Sequence, residues 1–328
     1  MTGRPKDEAA WIRFIAKMWA DHGQPVDFSN DAFVLPRARY AVTTDYLAEG
    51  EDFQRAWAPG EAWGYKALAV NLSDLAAMGA SPGYFLLTLA IPADMEDALV
   101  ERVLKGMAAL SSRAGIALCG GDMSRSPAGL SISITALGEQ LFSPLTRSGG
   151  RPGDGLFVSG PLGGARAALL QYEKGARLDH FDPAKAPADK YQALLDRLFR
   201  PPLQNELGEW LSKSGACSAC MDLSDGLSRD LPRLCQASCC GAILEPERLP
   251  VDPLVDCSAR EDALDLMLTG GEEQVLLFSV PPEREALLGG MPGTCYRVGI
   301  LDGQHGVRVR TGEGEKLLEV EGFDHFKT

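Results

Sequence analysis

Four short acidic motifs sit where apolar segments of this chain end: Thr43-Thr44-Asp45, Asn71-Leu72-Ser73-Asp74-Leu75, Gly120-Gly121-Asp122 and Asp222-Leu223-Ser224-Asp225-Gly226. An apolar segment is buried, and its end fixes where the next residue emerges. Distant parts of the chain must therefore deliver these acids either to solvent or to one another. Carboxylates about 4 Å apart repel by roughly 4 kcal/mol at an effective dielectric near 20, so a convergent set needs a cation. Asp flanked by Ser, Thr and Gly is the oxygen donor set that magnesium takes when it bridges carboxylates to phosphates, unlike the His- and Cys-rich set of zinc. The residues point to a Mg-nucleotide site and to phosphoryl transfer.

The bulk properties set the frame. A chain of 328 residues with 45% hydrophobic side chains predicts two domains, each with a buried core. The net charge of -13 argues against a nucleic-acid partner, which needs clustered Lys and Arg. The most apolar stretch, around Tyr84 to Pro92, is too short to span a bilayer, and the segment Met1 to Glu8 lacks the apolar core of a secretory signal. The expectation is a cytoplasmic protein without a membrane partner. Among eight cysteines, Cys217-x2-Cys220 followed by Cys235 and Cys239-Cys240 is loosely like a zinc spacing. Cys220 leads straight into Met221-Asp222-Leu223, and Cys235 and Cys239 are predicted at i,i+4 on a helix, so both are read as small buried hydrophobes.

Periodicity supplies the elements. Trp11, Ile12, Phe14, Ile15, Met18 and Trp19 predict an amphipathic helix from Ala9 to Ala20. Ala32–Leu35 and Tyr40–Thr44 read as strands that place Asp31 and Asp45 at neighbouring strand ends. A helix from Pro59 to Met78 stops at Gly79-Ala80-Ser81-Pro82 and carries Asp74 among almost wholly apolar neighbours, where a carboxylate requires a partner. A strand at Phe85–Ala90, a helix from Met95 to Ala114 and strands at Ile116–Cys119 and Leu130–Thr135 complete a β-rich first half. The fold class is α/β (α+β) in two domains: an N-terminal mixed sheet with helices over residues 1–145, and a larger C-terminal α/β domain over 146–328.

In the second half, Gly160-Pro161-Leu162-Gly163-Gly164 between a strand and a helix is either a phosphate contact or a plain tight turn, since it lacks a Walker lysine. Residues Leu178 to Lys190 are either a mobile lid or an ordinary surface loop. Strand Ala219–Leu223 delivers Asp222 ahead of a helix beginning at Gly226. Helix capping accounts for Ser224 or Asp225 but not for all three polar side chains together. Further strands are expected at Gln274–Val280, Tyr296–Leu301 and Val307–Arg310.

From Asp31 to Phe326 the chain resembles the thiamine-monophosphate kinase family of the aminoimidazole ribonucleotide synthetase superfamily. The resemblance rests on the motifs above together with Leu145-Thr146-Arg147-Ser148-Gly149, Gly270-Gly271-Glu272 and Gly322-Phe323-Asp324-His325-Phe326. It implies ATP-dependent phosphorylation of thiamine monophosphate to thiamine diphosphate, with Mg2+, in a homodimer that pairs through the N-terminal sheet. It also implies Asp31, Thr43, Thr44, Asp45, Asp74, Asp122, Asp222 and Asp225 as metal positions, with Asp74, Asp122 and Asp222 carrying catalysis. Gly121, Asp122, Arg147 and Ser224 match nucleotide contacts, and Asp52, Glu272 and Phe323 match substrate positions. An aromatic at Phe323 suits stacking on a flat cationic ring. The chain departs from the family in three places: Ser29-Asn30-Asp31-Ala32 stands for Gly-Asp-Asp-Ala, Asp52 for a His, and Glu273-Gln274 for Asp-Tyr. Two other readings remain open here: another ATP-dependent enzyme of the superfamily with a different acceptor, and a catalytically weakened phosphate binder.

Overall fold

The computed structural model describes residues 30–35, 39–255, 260–312 and 314–318, with Ala10, Arg13 and Lys17 ahead of them. Of the helix expected at Ala9–Ala20 only Ala10, Arg13 and Lys17 are described, each helical, and the substrate position Phe323 lies outside the described residues. The first half builds a five-stranded sheet in the order β1-β2-β5-β3-β4. Its strands are β1 (Phe33–Leu35), β2 (Tyr40–Ala48), β3 (Ser81–Pro92), β4 (Ala117–Ser126) and β5 (Ser131–Glu139). Every pairing is antiparallel except β3 with β4.

Two helices cover one face of this sheet. Helix α1 (Gly60–Ala77) is apolar nearly all round and almost wholly buried, as such a composition requires. Helix α2 (Asp97–Ala114) buries only the stripe Val103, Gly106, Met107 and Leu110. The two helices meet backbone to backbone: a Cβ on Gly64 would lie 1.9 Å from the Val103 carbonyl oxygen, and one on Gly106 would lie 1.9 Å from that of Glu61. Strand β5 alternates buried and half-buried residues, while β4 is exposed along nearly its whole length. Among the described residues one face of the first sheet is thus open.

The second half forms a seven-stranded sheet in the order β12-β11-β8-β10-β6-β9-β7. Its strands are β6 (Gly155–Val158), β7 (Ala219–Asp222), β8 (Gly241–Leu244), β9 (Leu276–Val280), β10 (Tyr296–Asp302), β11 (Gly306–Thr311) and β12 (Gly314–Leu317). Strands β6, β7, β8 and β9 are buried throughout, because helices α3 (Gly164–Glu173), α4 (Lys190–Asp196), α5 (Asn205–Ser214), α6 (Leu227–Ala237) and α7 (Arg260–Thr269) accompany them. The expected two-part mixed α/β architecture is borne out.

Several local expectations change. Strand β2 runs on past Thr44, so Asp45 lies inside it, and β4 runs through Gly120-Gly121-Asp122, so Asp122 sits mid-strand. Helix α6 ends at Ala237, and Cys239 follows it in a left-handed conformation at φ 53° instead of continuing the helix. Of the seven described cysteines, all free, Cys220, Cys235 and Cys240 are buried and Cys119 and Cys239 are exposed. Residues Leu178 to Lys190 are tied down by Arg200, which donates to the carbonyls of Asp182 and Pro183 and lies 4.4 Å from the Phe181 ring centroid. Ala168, Tyr172, Phe181 and Phe199 pack into the same apolar cluster as Trp63, Tyr65 and Leu68, joining the second half to the first core.

Candidate active site

The C-terminal half of α1 runs against the edge strand β7, and there the acids meet. Ser73 Oγ donates to Asp222 Oδ2 at 2.7 Å. Thr43, on β2, donates a short hydrogen bond to Asp74 Oδ2, and its hydroxyl oxygen lies 3.3 Å from the Asp31 carbonyl oxygen. Asp31, Asp74 and Asp222 each present a carboxylate oxygen within 4.8 Å of the others, a group that can hold a metal ion. Residues separated by 43 and 148 positions in the chain are thus brought to one point.

The electrostatics of this point are one-sided. Burial pushes the carboxyls of Asp74 and Asp222 well above the usual carboxylate range, and their acidic neighbours add to the push. Burial, then Glu272 and Asp52, raises Asp45 to about 7. Asp45 Oδ2 is buried without a hydrogen-bond partner among the described residues. The nearby cation is Arg147, whose Nε reaches Asp31 Oδ2 at 3.2 Å and whose Nη2 reaches Asp31 Oδ1 at 2.5 Å. Burial disfavours the Arg147 charge, but Asp31 holds the guanidinium firmly protonated. One arginine engaged by one carboxylate leaves Asp45, Asp74 and Asp222 in need of positive charge, and a hard divalent cation fits that all-oxygen donor set.

The remaining site residues fall into three groups. Ser224 and Glu272 are brought together, since the Glu272 amide donates to the Ser224 carbonyl at 2.8 Å. Glu272 and Gln274 both adopt left-handed backbone, at φ 68° and 52°, a concentration of strain typical of ligand sites. Glu272 lines a 280 Å³ cavity with Tyr65, Arg197, Arg200, Gln204 and Glu273. Asp52 accepts from the Ala48 amide at 2.7 Å, and its charge is felt at Asp45.

Other positions stand apart from the acidic point. The Thr44 hydroxyl lies on the opposite face of β2 and donates to the Ile134 carbonyl at 3.0 Å. Asp225 is engaged by Arg233 at 2.6 Å. Gly121 and Asp122 lie on β4, three strands along the sheet from β2, which at ~4.8 Å per strand is on the order of 14 Å. Gly121 also has a local reason to be glycine: a Cβ there would lie 1.8 Å from the Leu87 carbonyl oxygen.

Two buried acids escaped sequence reasoning. Asp230 Oδ2 accepts from the amides of Ser224, Asp225 and Gly226 at 3.1, 2.9 and 3.1 Å, and its Oδ1 accepts from Arg233 at 2.8 Å. Its signal was an acid in the first turn after a helix-starting glycine. Glu273 Oε1 accepts from the amides of Gly163 and Ala165 at 2.8 and 3.3 Å. The glycine-rich loop at residues 160–164 therefore has a carboxylate of the chain itself where a phosphate would sit, and the tight-turn alternative holds.

With this geometry in place, comparison with known proteins gives the family. The AIR synthase related protein N-terminal domain matches residues 29–140, and the corresponding C-terminal domain matches residues 151–312. The thiamine-monophosphate kinase of Rhodopirellula baltica is 36% identical over 304 residues, 89% of this chain and 85% of the relative. That of Escherichia coli strain K12 is 36% identical over 295 residues, 88% of this chain and 87% of the relative. Among solved structures, AaThiL complexed with AMPPCP and TMP superposes with a TM-score of 0.85 at 29% identity, covering 99% of both chains. A HypE–HypF complex at 18% identity and TM-score 0.73 shares the fold alone. This chain, with both AIR synthase related domains in order, belongs to the thiamine-monophosphate kinase family.

Proposed function

We propose that this protein phosphorylates thiamine monophosphate to thiamine diphosphate by direct in-line transfer of the γ-phosphoryl group of ATP. The observation that carries the reading is the convergence of Asp31, Asp74 and Asp222 within 4.8 Å, with uncompensated Asp45 beside them, in a chain of this family. Asp31, Asp45, Asp74 and Asp222, with the Thr43 hydroxyl, are the groups that would hold Mg2+. When bound, the ion supplies charge neutralisation between two polyanionic substrates. A phosphate monoester is already largely ionised near neutral pH, so the chain needs no general base to activate the acceptor.

The chain's own residues position the reactants. Arg147 fixes Asp31 and, by family resemblance, is assigned to nucleotide phosphate; Ser224 lies at the turn before α6, and Glu272 and Asp52 offer negative charge to the cationic acceptor. Phe323, outside the described residues, is assigned to the acceptor ring by family resemblance. Residues 1–145 form the nucleotide and dimerisation half, and 146–328 complete the site.

The open sheet supports a homodimer. Among the described residues, the segment 43–48 of β2 and the whole of β4 are free edges, since β1 pairs only with residues 40–42 of β2. Tyr46, Leu86, Leu118 and Met123 are exposed on the same sheet. Free edges and exposed apolar side chains invite pairing with a second copy, which would bring Gly121 and Asp122 of one chain toward the acids of the other. The cytoplasmic location is proposed from membership of this family; no helix among the described residues is long and apolar enough to cross a membrane.

The test is incubation with ATP, Mg2+ and thiamine monophosphate, resolving products by chromatography. Stoichiometric thiamine diphosphate and ADP are expected. ATP turnover with another phosphorylated acceptor only, or binding without turnover, refutes the assignment.

A further inference from the structure

Helix α1 delivers two polar side chains to loops of the second domain. At 3.6 residues per turn Lys66 and Ser73 fall on one side of the helix. Ser73 reaches Asp222, and Lys66 Nζ reaches Glu272 Oε1 at 3.0 Å. Lys66 is only 1% exposed, the Phe199 ring centroid lies 5.9 Å from Nζ, and among the described residues the ammonium has this ion pair but no hydrogen bond of ordinary geometry. The rest of α1 buries mostly small and apolar residues, so packing alone does not call for a charge at this position. Burying an ammonium against a single carboxylate is at best neutral for stability when compared with an apolar side chain of the same volume. A different return is needed to explain it.

Glu272 supplies that return. Its backbone is fixed in a left-handed conformation by the bond to the Ser224 carbonyl, while Lys66 is the cation that anchors its side chain. The Glu272 carboxylate also stands within electrostatic reach of Asp45. It therefore has two competing destinations: Lys66, or any cation gathered by the acid cluster.

We propose that Lys66 is a positioning residue for the acceptor: it holds the Glu272 carboxylate against the cavity wall and away from the acid cluster, where it meets the positively charged acceptor. The inference rests on the reading of Glu272 as an acceptor contact. The ion pair also spans the two domains, so the acceptor site is organised by the helix that carries Ser73 and Asp74.

The experiment is steady-state kinetics of Lys66→Met, Glu272→Gln and the double variant, with thermal unfolding of each. Lys66→Met is expected to raise KM for thiamine monophosphate about tenfold, leaving KM for ATP and Tm close to native. The double variant is expected to be no worse than Glu272→Gln alone. A folded Lys66→Met protein with native acceptor KM, or losses that simply add in the double variant, overturns the proposal. If Glu272→Gln itself leaves acceptor KM unchanged, the reading of Glu272 has failed and the role of Lys66 falls with it; the single variants tell the two failures apart. Should the Met variant not fold, Lys66→Gln, which keeps the stem and one donor, is read in the same way.

Discussion

Asp222 and Asp230 are both buried, at 3% and 0% exposure, and flank the turn that links β7 to α6, one at the end of the strand and one in the first turn of the helix, yet their surroundings are opposite. Asp230 has a partner for each oxygen: three backbone amides on one and Arg233 on the other. Asp222 has the Ser73 hydroxyl and faces the anionic neighbours Asp31 and Asp74. Burial drives both carboxyls up, that of Asp230 to about 7 against the opposing pull of Arg233, and that of Asp222 well above its ordinary value with the anionic Asp31 adding to the rise. The difference separates a carboxylate that holds a turn together from one that is kept for a ligand. Internal satisfaction is the mark of structure, and its lack, in a residue that the fold nevertheless buries, is the mark of function.

The largest expected effect breaks the ligand side of this comparison. Asp222→Asn should lower turnover on the order of 10³-fold, the scale on which a single preorganised electrostatic group acts, while Tm stays level or rises because one repelling charge is gone. Native turnover in a folded Asp222→Asn protein at limiting Mg2+ would contradict the assignment. The structural side is broken by Asp230→Ala, which orphans three amides and the Arg233 guanidinium and should destabilise by about 3–5 kcal/mol in urea titrations. A loss under about 1 kcal/mol would mean that water replaces the carboxylate and that the turn does not depend on it. The third expectation is the cation itself. Mg2+ at a hundredfold its dissociation constant should stabilise the native protein by about 2.7 kcal/mol, and Asp74→Asn should respond much less. Equal stabilisation of the two proteins would place the ion elsewhere.

The sequence made the ligand side of the comparison more legible than the structural side. Asp74 and Asp222 stand out because each interrupts or ends an apolar run, and such a charge has to be explained before any fold is known. Asp230 and Glu273 lie next to conspicuous motifs, but their burial is not announced there, since their partners are mainly backbone amides that carry no residue-type signal. The same limit hid the role of Lys66, whose partner is 206 positions away. The sequence reading ends a strand at Cys119, but β4 runs on through Gly120-Gly121-Asp122, where the Leu87 carbonyl approaches too closely for a Cβ on Gly121. The short strand Gly241–Leu244 is too brief to announce itself, and the packing of Tyr172, Phe181 and Phe199 onto the first core is a tertiary fact that no local pattern encodes.

Glu273 lies between the two extremes and sharpens the comparison most finely. It accepts the amides of Gly163 and Ala165, which favour its charge, yet burial raises its carboxyl to about 8, with Asp252 adding to the rise and Arg197 opposing it. A carboxyl raised above its ordinary value near 4.5 is protonated more readily in the folded chain than in the unfolded one. The stability this provides is fully present below the ordinary value and is lost as pH rises through about 8. Unfolding free energy of the native protein should therefore contain a decline between those limits that Glu273→Gln, neutral at every pH, lacks. Identical pH profiles for the two proteins would show that the two amides compensate burial completely, placing Glu273 with Asp230 among the acids whose only work is structural.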